Sequence, residues 1–256
     1  MISLPSSPRL NLPEITLCAA SSVNVPATLR ALEITLAQVN VAACKLFTDD
    51  KVNSSHPDIT VVPISRLTSS LSYSNFILQH LVDHVETPHC LIVQWDGHVL
   101  HSHNWSADFL GYDYVGASWP QFTDGHDVGN GGFSLRSRRL MEACRDPSFR
   151  SYHPEDVAIG RVNRDWLQAQ GMRFAPGSIA DRFSTERAGH ISKSFGYHGA
   201  WLMPSAIGVE PFWDIYRHLD DRATIRHDFS SILKQMWQGQ GGWKRALKLI
   251  LDQKIY

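Results

Sequence analysis

The feature that most constrains this chain is the alternation of strand-length apolar runs with helix-period segments across its first hundred residues. Ile15-Thr-Leu-Cys-Ala-Ala-Ser21 is one such run, ended by a Ser-Ser-x-Asn turn, and residues 42–47 and 59–62 read as two more strands. Between them, Pro26 to Asn40 distributes Leu29, Leu32, Ile34, Leu36 and Val39 over a helix face, with the proline at its start. A polar loop from Thr48 to Pro57 leads into the third strand. Ser72 to Val85 reads as a second helix, and Thr87 to Gly97 as a continuous apolar strand that stops at Asp96-Gly97. Strands separated by helices in this way predict an α/β fold with a mostly parallel sheet. In such sheets ligands sit at the carboxyl ends of the strands, where Asp96 falls.

At 256 residues the chain can bury a sizeable core, as one large domain or one domain with a substantial appendage. A net charge of −1 argues against a nucleic-acid partner, because no global basic field is present. With 43% hydrophobic residues and eight tryptophans, the chain is a folded globule rather than a disordered one. Cys18, Cys44, Cys90 and Cys144 have no Cys-x-x-Cys spacing and are expected as buried free thiols. No apolar stretch has the length of a membrane span. Residues 1–13 are Pro/Ser-rich, lack the pattern of a signal peptide and read as a loose arm, so the expected compartment is the cytoplasm. The expected organisation is that arm, an α/β domain over 14–203 and a helical extension over 204–256.

Beyond Asp96 the pattern loosens. Trp105 to Leu110 reads as a helical turn and Tyr112 to Gly116 as a short strand, followed by a Gly/Asp/His-rich loop over 120–130. The glycines of Val128-Gly-Asn-Gly-Gly-Phe-Ser-Leu-Arg-Ser137 let backbone approach a ligand more closely than side-chain-bearing residues permit. The end of that stretch reads as a strand feeding a helix at Arg138. Pro154-Glu155-Asp156 starts a further helix running to Gln170, with proline in the first turn and carboxylates at the positive end of the dipole. Arg173-Phe-Ala reads as a short strand.

Asp96, at the mouth of the sheet, can coordinate a divalent cation that neutralises a diphosphate leaving group. The competing reading is a turn residue bonded to its own loop. Glu155 or Asp156 can serve as a general base tuned by burial, or simply complement a helix dipole. His198, in Phe195-Gly-Tyr-His-Gly199, suits a metal ligand, a proton-transfer group or a packed side chain. His98, His101 and His103 match no zinc spacing and read as surface or pocket lining. Trp95, Tyr112, Tyr114 and Trp119 suit either an apolar wall for a base or sugar ring, or the core. The helix from Trp243 to Leu251, with three cations and an apolar face, suits an anionic membrane surface or packing on its own domain.

Taken in order, these pieces resemble a GT-A glycosyltransferase, closest to a family of largely uncharacterised bacterial and fungal glycosyltransferase-like proteins. The matching stretches are Ile15-Thr-Leu, Leu91 to Gly97, Tyr112 to Trp119, Gly129 to Ser137, Pro154 to Val157 and Phe195 to Gly199. Gly-Gly-Phe-Ser followed by Pro-Glu-Asp-Val also resembles the fringe-like branch of inverting GT-A enzymes. The resemblance implies a Rossmann-like sheet and transfer of a sugar from a nucleotide-sugar donor, a UDP-sugar first, to a glycan or lipid-linked glycan. It implies Mn2+ or Mg2+ held by Asp96 and His198, with Gln94 standing where the family has a first carboxylate; His98 is the alternative second ligand. It implies Asp156 as catalytic base with Glu155 beside it, inversion at the anomeric carbon, and Gln94, Trp95, Gly131, Gly132, Phe133 and Trp119 as substrate contacts. Gln94 also motivates a second hypothesis, a non-catalytic nucleotide- or carbohydrate-binding module. The histidines after Asp96 motivate a third, a metal-dependent hydrolase.

Overall fold

A computed structural model describes residues 8–255 except 53 and 55. It is a mixed α/β structure whose central sheet has the order β3-β2-β1-β4-β8-β5. The first three elements are β1 (Leu10–Ala20), α1 (Val25–Leu36) and β2 (Val39–Thr48). Next come β3 (Ile59–Pro63), α2 (Ser70–Gln79) and β4 (His89–Ile92). β1 pairs in parallel with β2 and β4, and β2 with β3. Two-residue strands follow as β5 (Tyr114–Val115), β6 (Ala117–Ser118) and β7 (Val128–Gly129), then β8 (Ser134–Ser137) feeding α3 (Arg138–Ala143). β8 runs antiparallel to both β4 and β5, so the sheet is mostly parallel, as the alternating pattern predicts, with one strand reversed.

Several boundaries move. β1 begins at Leu10, because its first residues pair with Val39, Asn40 and Val41; the expected arm of 1–13 therefore loses its end to the sheet, and residues 1–7 lie outside the described part. The helix expected to Asn40 stops at Leu36 so that β2 can start. The strand expected over 87–97 ends at Ile92, where its pairing with Cys18 ends. The helix expected from Pro154 to Gln170 is broken into α4 (Glu155–Val157), a π-helical turn (Ala158–Val162) and α5 (Arg164–Ala169). Asn163 causes the break, its amide donating to the carbonyls of Ala158 and Arg150 at 2.9 Å each and so competing with the helical ladder. The expected strand at Arg173 reduces to a single bridge between Phe174 and Tyr114.

The remaining elements are α6 (Gly177–Phe183), β9 (Ser184–Thr185), β10 (Gly196–Tyr197), α7 (Met203–Ala206), α8 (Val209–Arg217), α9 (Phe229–Met236) and α10 (Gly242–Ile255). The C-terminal helices bury Phe212, Ile215, Tyr216, Ile232 and Met236 in a cluster that also takes in Ala27, Trp95, Leu100 and Tyr197 of the preceding fold. Apolar burial of this kind, at about 25 cal/mol per Å², attaches the extension to the end of the sheet that carries Asp96. The four cysteines are buried and free, as expected.

Candidate active site

Past β4, Gln94 and Gly97 close a tight antiparallel bridge, the Gly97 N–H donating to the Gln94 carbonyl at 3.1 Å. The turn sets Asp96 at the sheet mouth. A Cβ on Gly97 would stand 2.8 Å from the Tyr197 carbonyl, so only glycine lets β10 lie this close. The Gly199 N–H then donates to the Asp96 carbonyl at 2.9 Å, joining two loops a hundred residues apart.

This brings His198 onto Asp96. Its Nε2 lies 3.2 Å from Gln94 Oε1 and 3.5 Å from Asp96 Oδ1, while Nδ1 lies 3.4 Å from Glu186 Oε1. Burial disfavours a charged imidazole, but the carboxylates of Asp96 and Glu186 outweigh it and push His198 up to about 9. Burial also raises Asp96, against the opposing pull of His198. Asp96 Oδ1 is buried and makes no hydrogen bond among the described residues. The Gln94 amide donates to the Tyr73 hydroxyl at 2.8 Å, so both ends of that side chain are held.

Asp156 stands in the first turn of α4. Its neighbour Glu155 is 5% exposed and ion-paired at 3.1 Å with Arg136, itself 1% exposed. Ser74 donates to the second Glu155 oxygen at 3.4 Å. That buried pair anchors the start of α4 and leaves Asp156 partly exposed beside it. Burial, and then the Glu155 charge, raise Asp156 to about 6. Asp156 in turn contributes to the upward pull on His198, so the two groups share one field.

The glycine loop serves these side chains. A Cβ on Gly131 would fall 1.8 Å from Glu155 Oε1, and one on Gly132 2.0 Å from His198 Nε2. The close approach foreseen for a ligand is thus made by the protein's own charged groups. Asn130 turns the chain with φ of 63°, and its side-chain oxygen accepts the Gly132 N–H at 3.0 Å.

Other expected contacts lie elsewhere. Phe133 is fully buried and stacks on Phe183 with ring centroids 5.0 Å apart, so it belongs to the core rather than to a substrate wall. Trp119 packs over Gly129 and Gly160, filling space that their missing side chains leave, and is core for the same reason. Glu155 cannot reach a hydroxyl in solution while it neutralises Arg136. His98 is 2% exposed and bonded to the Val99 carbonyl and the Tyr197 hydroxyl, which removes it as a ligand beside Asp96. Trp95 and Gln94, by contrast, line a cavity of about 420 Å³ with Ser21, Ser22, Leu67, Tyr73, Asp221 and Thr224, at the carboxyl ends of β1 and β4. A cavity of that size and place suits a nucleoside.

The residues missed from sequence are Glu186, Arg136, Tyr73 and Asp221. Glu186, Tyr73 and Asp221 stand in no motif. Arg136 alone had a signal, a charge inside the Gly129 to Ser137 stretch on the short strand β8.

Among the described residues no group of three or more His, Cys, Asp and Glu side chains is arranged to hold a metal ion. The reason is geometric: Asp96 and Glu186 flank opposite nitrogens of His198 and cannot converge on one centre. What remains is a two-residue set, Asp96 Oδ1, which makes no hydrogen bond, and His198 Nε2, which carries a proton at neutral pH and becomes a donor only when a cation displaces it, with Glu186 orienting the ring through Nδ1. Such a set fits a hard cation that takes its other ligands from phosphates and water.

A family model described as a protein of unknown function, DUF5672, matches residues 57–198. No curated protein matches the chain. Among solved structures, the mannosyltransferase PcManGT from Pyrobaculum calidifontis, in complex with GDP-Man and Mn2+, aligns at 13% identity and a TM-score of 0.46, over 94% of this chain and 75% of that one. A glycosyltransferase involved in glycosylation of the major capsid of PBCV-1 aligns at 9% identity and a TM-score of 0.46, over 79% of this chain and 98% of that one. The apo form of the glycosyltransferase GlyE of Streptococcus pneumoniae TIGR4 aligns at 12% identity and a TM-score of 0.46, over 84% and 63%.

Proposed function

The chain belongs to the DUF5672 family, whose description names no activity, and from its own site we propose that it is a glycosyltransferase acting on a nucleotide-sugar donor, a UDP-sugar first. The observation that carries the reading is the junction at Gln94. This residue lines the nucleoside-sized cavity and touches His198, which sits on Asp96. A nucleoside in the cavity directs its diphosphate toward Asp96 and His198, and the sugar beyond it toward Asp156.

Asp96 and His198 would hold a divalent cation, Mn2+ or Mg2+, with His198 giving up its Nε2 proton to it, and the bound cation would offset the charge of the departing nucleoside diphosphate. Glu186 keeps the His198 ring in place. Asp156, raised to about 6, is ionised at neutral pH and basic enough to accept the proton of an acceptor hydroxyl. Attack from the Asp156 side, opposite the diphosphate, inverts the anomeric carbon. The acceptor is a glycan. The exposed Trp243, Leu247 and Leu251 of α10 hold the enzyme near a lipid-linked one at the cytoplasmic face.

A screen of nucleotide sugars with Mn2+ or Mg2+, read by release of nucleoside diphosphate, tests the reading. One donor is turned over, the rate rises with pH through a limb near 6, and Asp156→Asn abolishes transfer while donor still binds. The two-residue metal set favours one rival, a binding module without catalysis. Nucleotide binding that ignores Mn2+, with no donor hydrolysis, would establish that rival.

A further inference from the structure

The β1–α1 loop is tied to the C-terminal extension by one residue. Asn24 is 2% exposed and adopts φ of 58°, a left-handed conformation that asparagine tolerates better than most residues. Its backbone N–H donates to Asp220 Oδ2 at 3.1 Å and its side-chain amide to the Asp221 carbonyl at 3.3 Å. The Asp221 N–H returns a bond to Asn24 Oδ1 at 3.0 Å. This reciprocal clamp spans nearly two hundred residues of sequence and fixes the start of the 3₁₀ segment Arg222–Asp228, whose Thr224 lines the cavity.

The clamp has a chemical result. Asp221 and Thr224 line the same cavity as Ser22, Tyr73, Gln94 and Trp95. Asp221 Oδ1 accepts the Ala223 N–H at 2.8 Å, which pins the carboxylate, and Oδ2 has no hydrogen-bond partner among the described residues. The Thr224 hydroxyl donates to the Asp221 carbonyl at 3.0 Å and keeps its lone pairs free to accept. Among the described residues, Asp221 is the one carboxylate in a lining otherwise made of hydroxyl, amide and apolar groups. A fixed carboxylate oxygen beside a hydroxyl matches two adjacent hydroxyls, each of which donates one hydrogen bond.

We infer that Asp221 and Thr224 bind the ribose diol of the donor nucleoside, so that the C-terminal extension supplies a wall of the donor site. The inference rests on the donor reading above and names which part of the donor the extension holds. The apolar faces of Leu67 and Trp95 are left for the base.

The test is a chemical double-mutant cycle read by calorimetry, with UDP, GDP and their 2′-deoxy forms as probes, each with Mn2+. The parent and two variants, Asp221→Asn and Thr224→Val, are compared. The Asp221→Asn side chain keeps an oxygen that can cap the Ala223 N–H, so thermal unfolding of that variant should match the parent and separate a binding effect from misfolding. The parent binds the ribonucleotide about tenfold more tightly than the 2′-deoxy form, as expected for a hydrogen bond to a charged group. Whichever of Asp221→Asn and Thr224→Val removes the acceptor of the 2′-hydroxyl loses about the same factor toward the ribonucleotide, and in it the deoxy penalty shrinks toward one, because both changes remove the same bond. Unaltered affinity in both variants, or a full deoxy penalty that survives in both, overturns the inference while the donor reading stands. A parent chain that binds neither UDP nor GDP overturns both.

Discussion

Replacing Asp156 by asparagine stabilises the folded chain at neutral pH, and the gain disappears in acid. Burial and the Glu155 charge move the Asp156 carboxyl from its ordinary 3.8 to about 6, with Arg136 pulling the other way and Glu186 adding to the rise; His198 faces it across the site. At about 1.4 kcal/mol per pH decade, the ionised form costs the folded state at most about 3 kcal/mol. Below 3.8 both folded and unfolded chains hold the proton and nothing is lost. As pH rises, the unfolded chain releases first, so the stability held in acid is lost progressively until pH passes 6. Asparagine does not titrate and keeps the oxygen that accepts the Val157 N–H at 2.8 Å. The variant should therefore exceed the parent by up to about 3 kcal/mol at pH 7.5, about 6–10 °C in Tm for a chain of this length, and by only about 1 kcal/mol at pH 4.5. Urea unfolding followed by circular dichroism at both pH values measures it. A variant no more stable than the parent at pH 7.5, or a gain equal at both pH values, refutes the claim that the fold holds this carboxylate against its preference.

Glu155→Ala strands the Arg136 guanidinium in the core and should cost about 3–5 kcal/mol by urea titration, with Arg136→Met added in the same chain recovering most of it; a loss under about 1 kcal/mol would show the pair to be solvated. Gly132→Ala puts a methyl where His198 Nε2 stands, and should lower nucleoside-diphosphate release by about a hundredfold with the circular dichroism spectrum unchanged. Full activity in that variant would free His198 of any fixed position. In vesicle co-sedimentation, the parent should bind phosphatidylglycerol vesicles and ignore phosphatidylcholine, and Leu247→Glu with Leu251→Glu should reduce binding by at least about tenfold. Equal pelleting of parent and variant would retire the contact. No helix among the described residues is long and apolar enough to cross a membrane.

The parallel core of the sheet was legible because its two central strands, β1 from Ile15 onward and β4, are buried on both faces, which leaves continuous apolar runs that no helix period explains. Asp96 was legible for a related reason, since a carboxylate ending such a run has to stand at the sheet mouth. Its meeting with His198 was foreseen only through an ordered resemblance, and the structure supplies the cause, the Gly199-to-Asp96 backbone bond. The π-helical break at Asn163 was not legible, because the amide that competes with the ladder looks like any helix asparagine until Arg150 is placed beside it.

The sequence by itself determined the layering, the end of the sheet at which Asp96 stands and the carboxylates worth testing, because local periodicity and strand ends are properties of neighbours in the chain. Only the tertiary structure decided which groups share a field. Glu186 reaches His198 and Arg136 takes Glu155 across gaps of 12 and 19 residues, and Asp221 meets Asn24 across 197. Charges and hydrogen bonds act through space over a few ångströms, and the chain separation that folding closes leaves no trace in residue order.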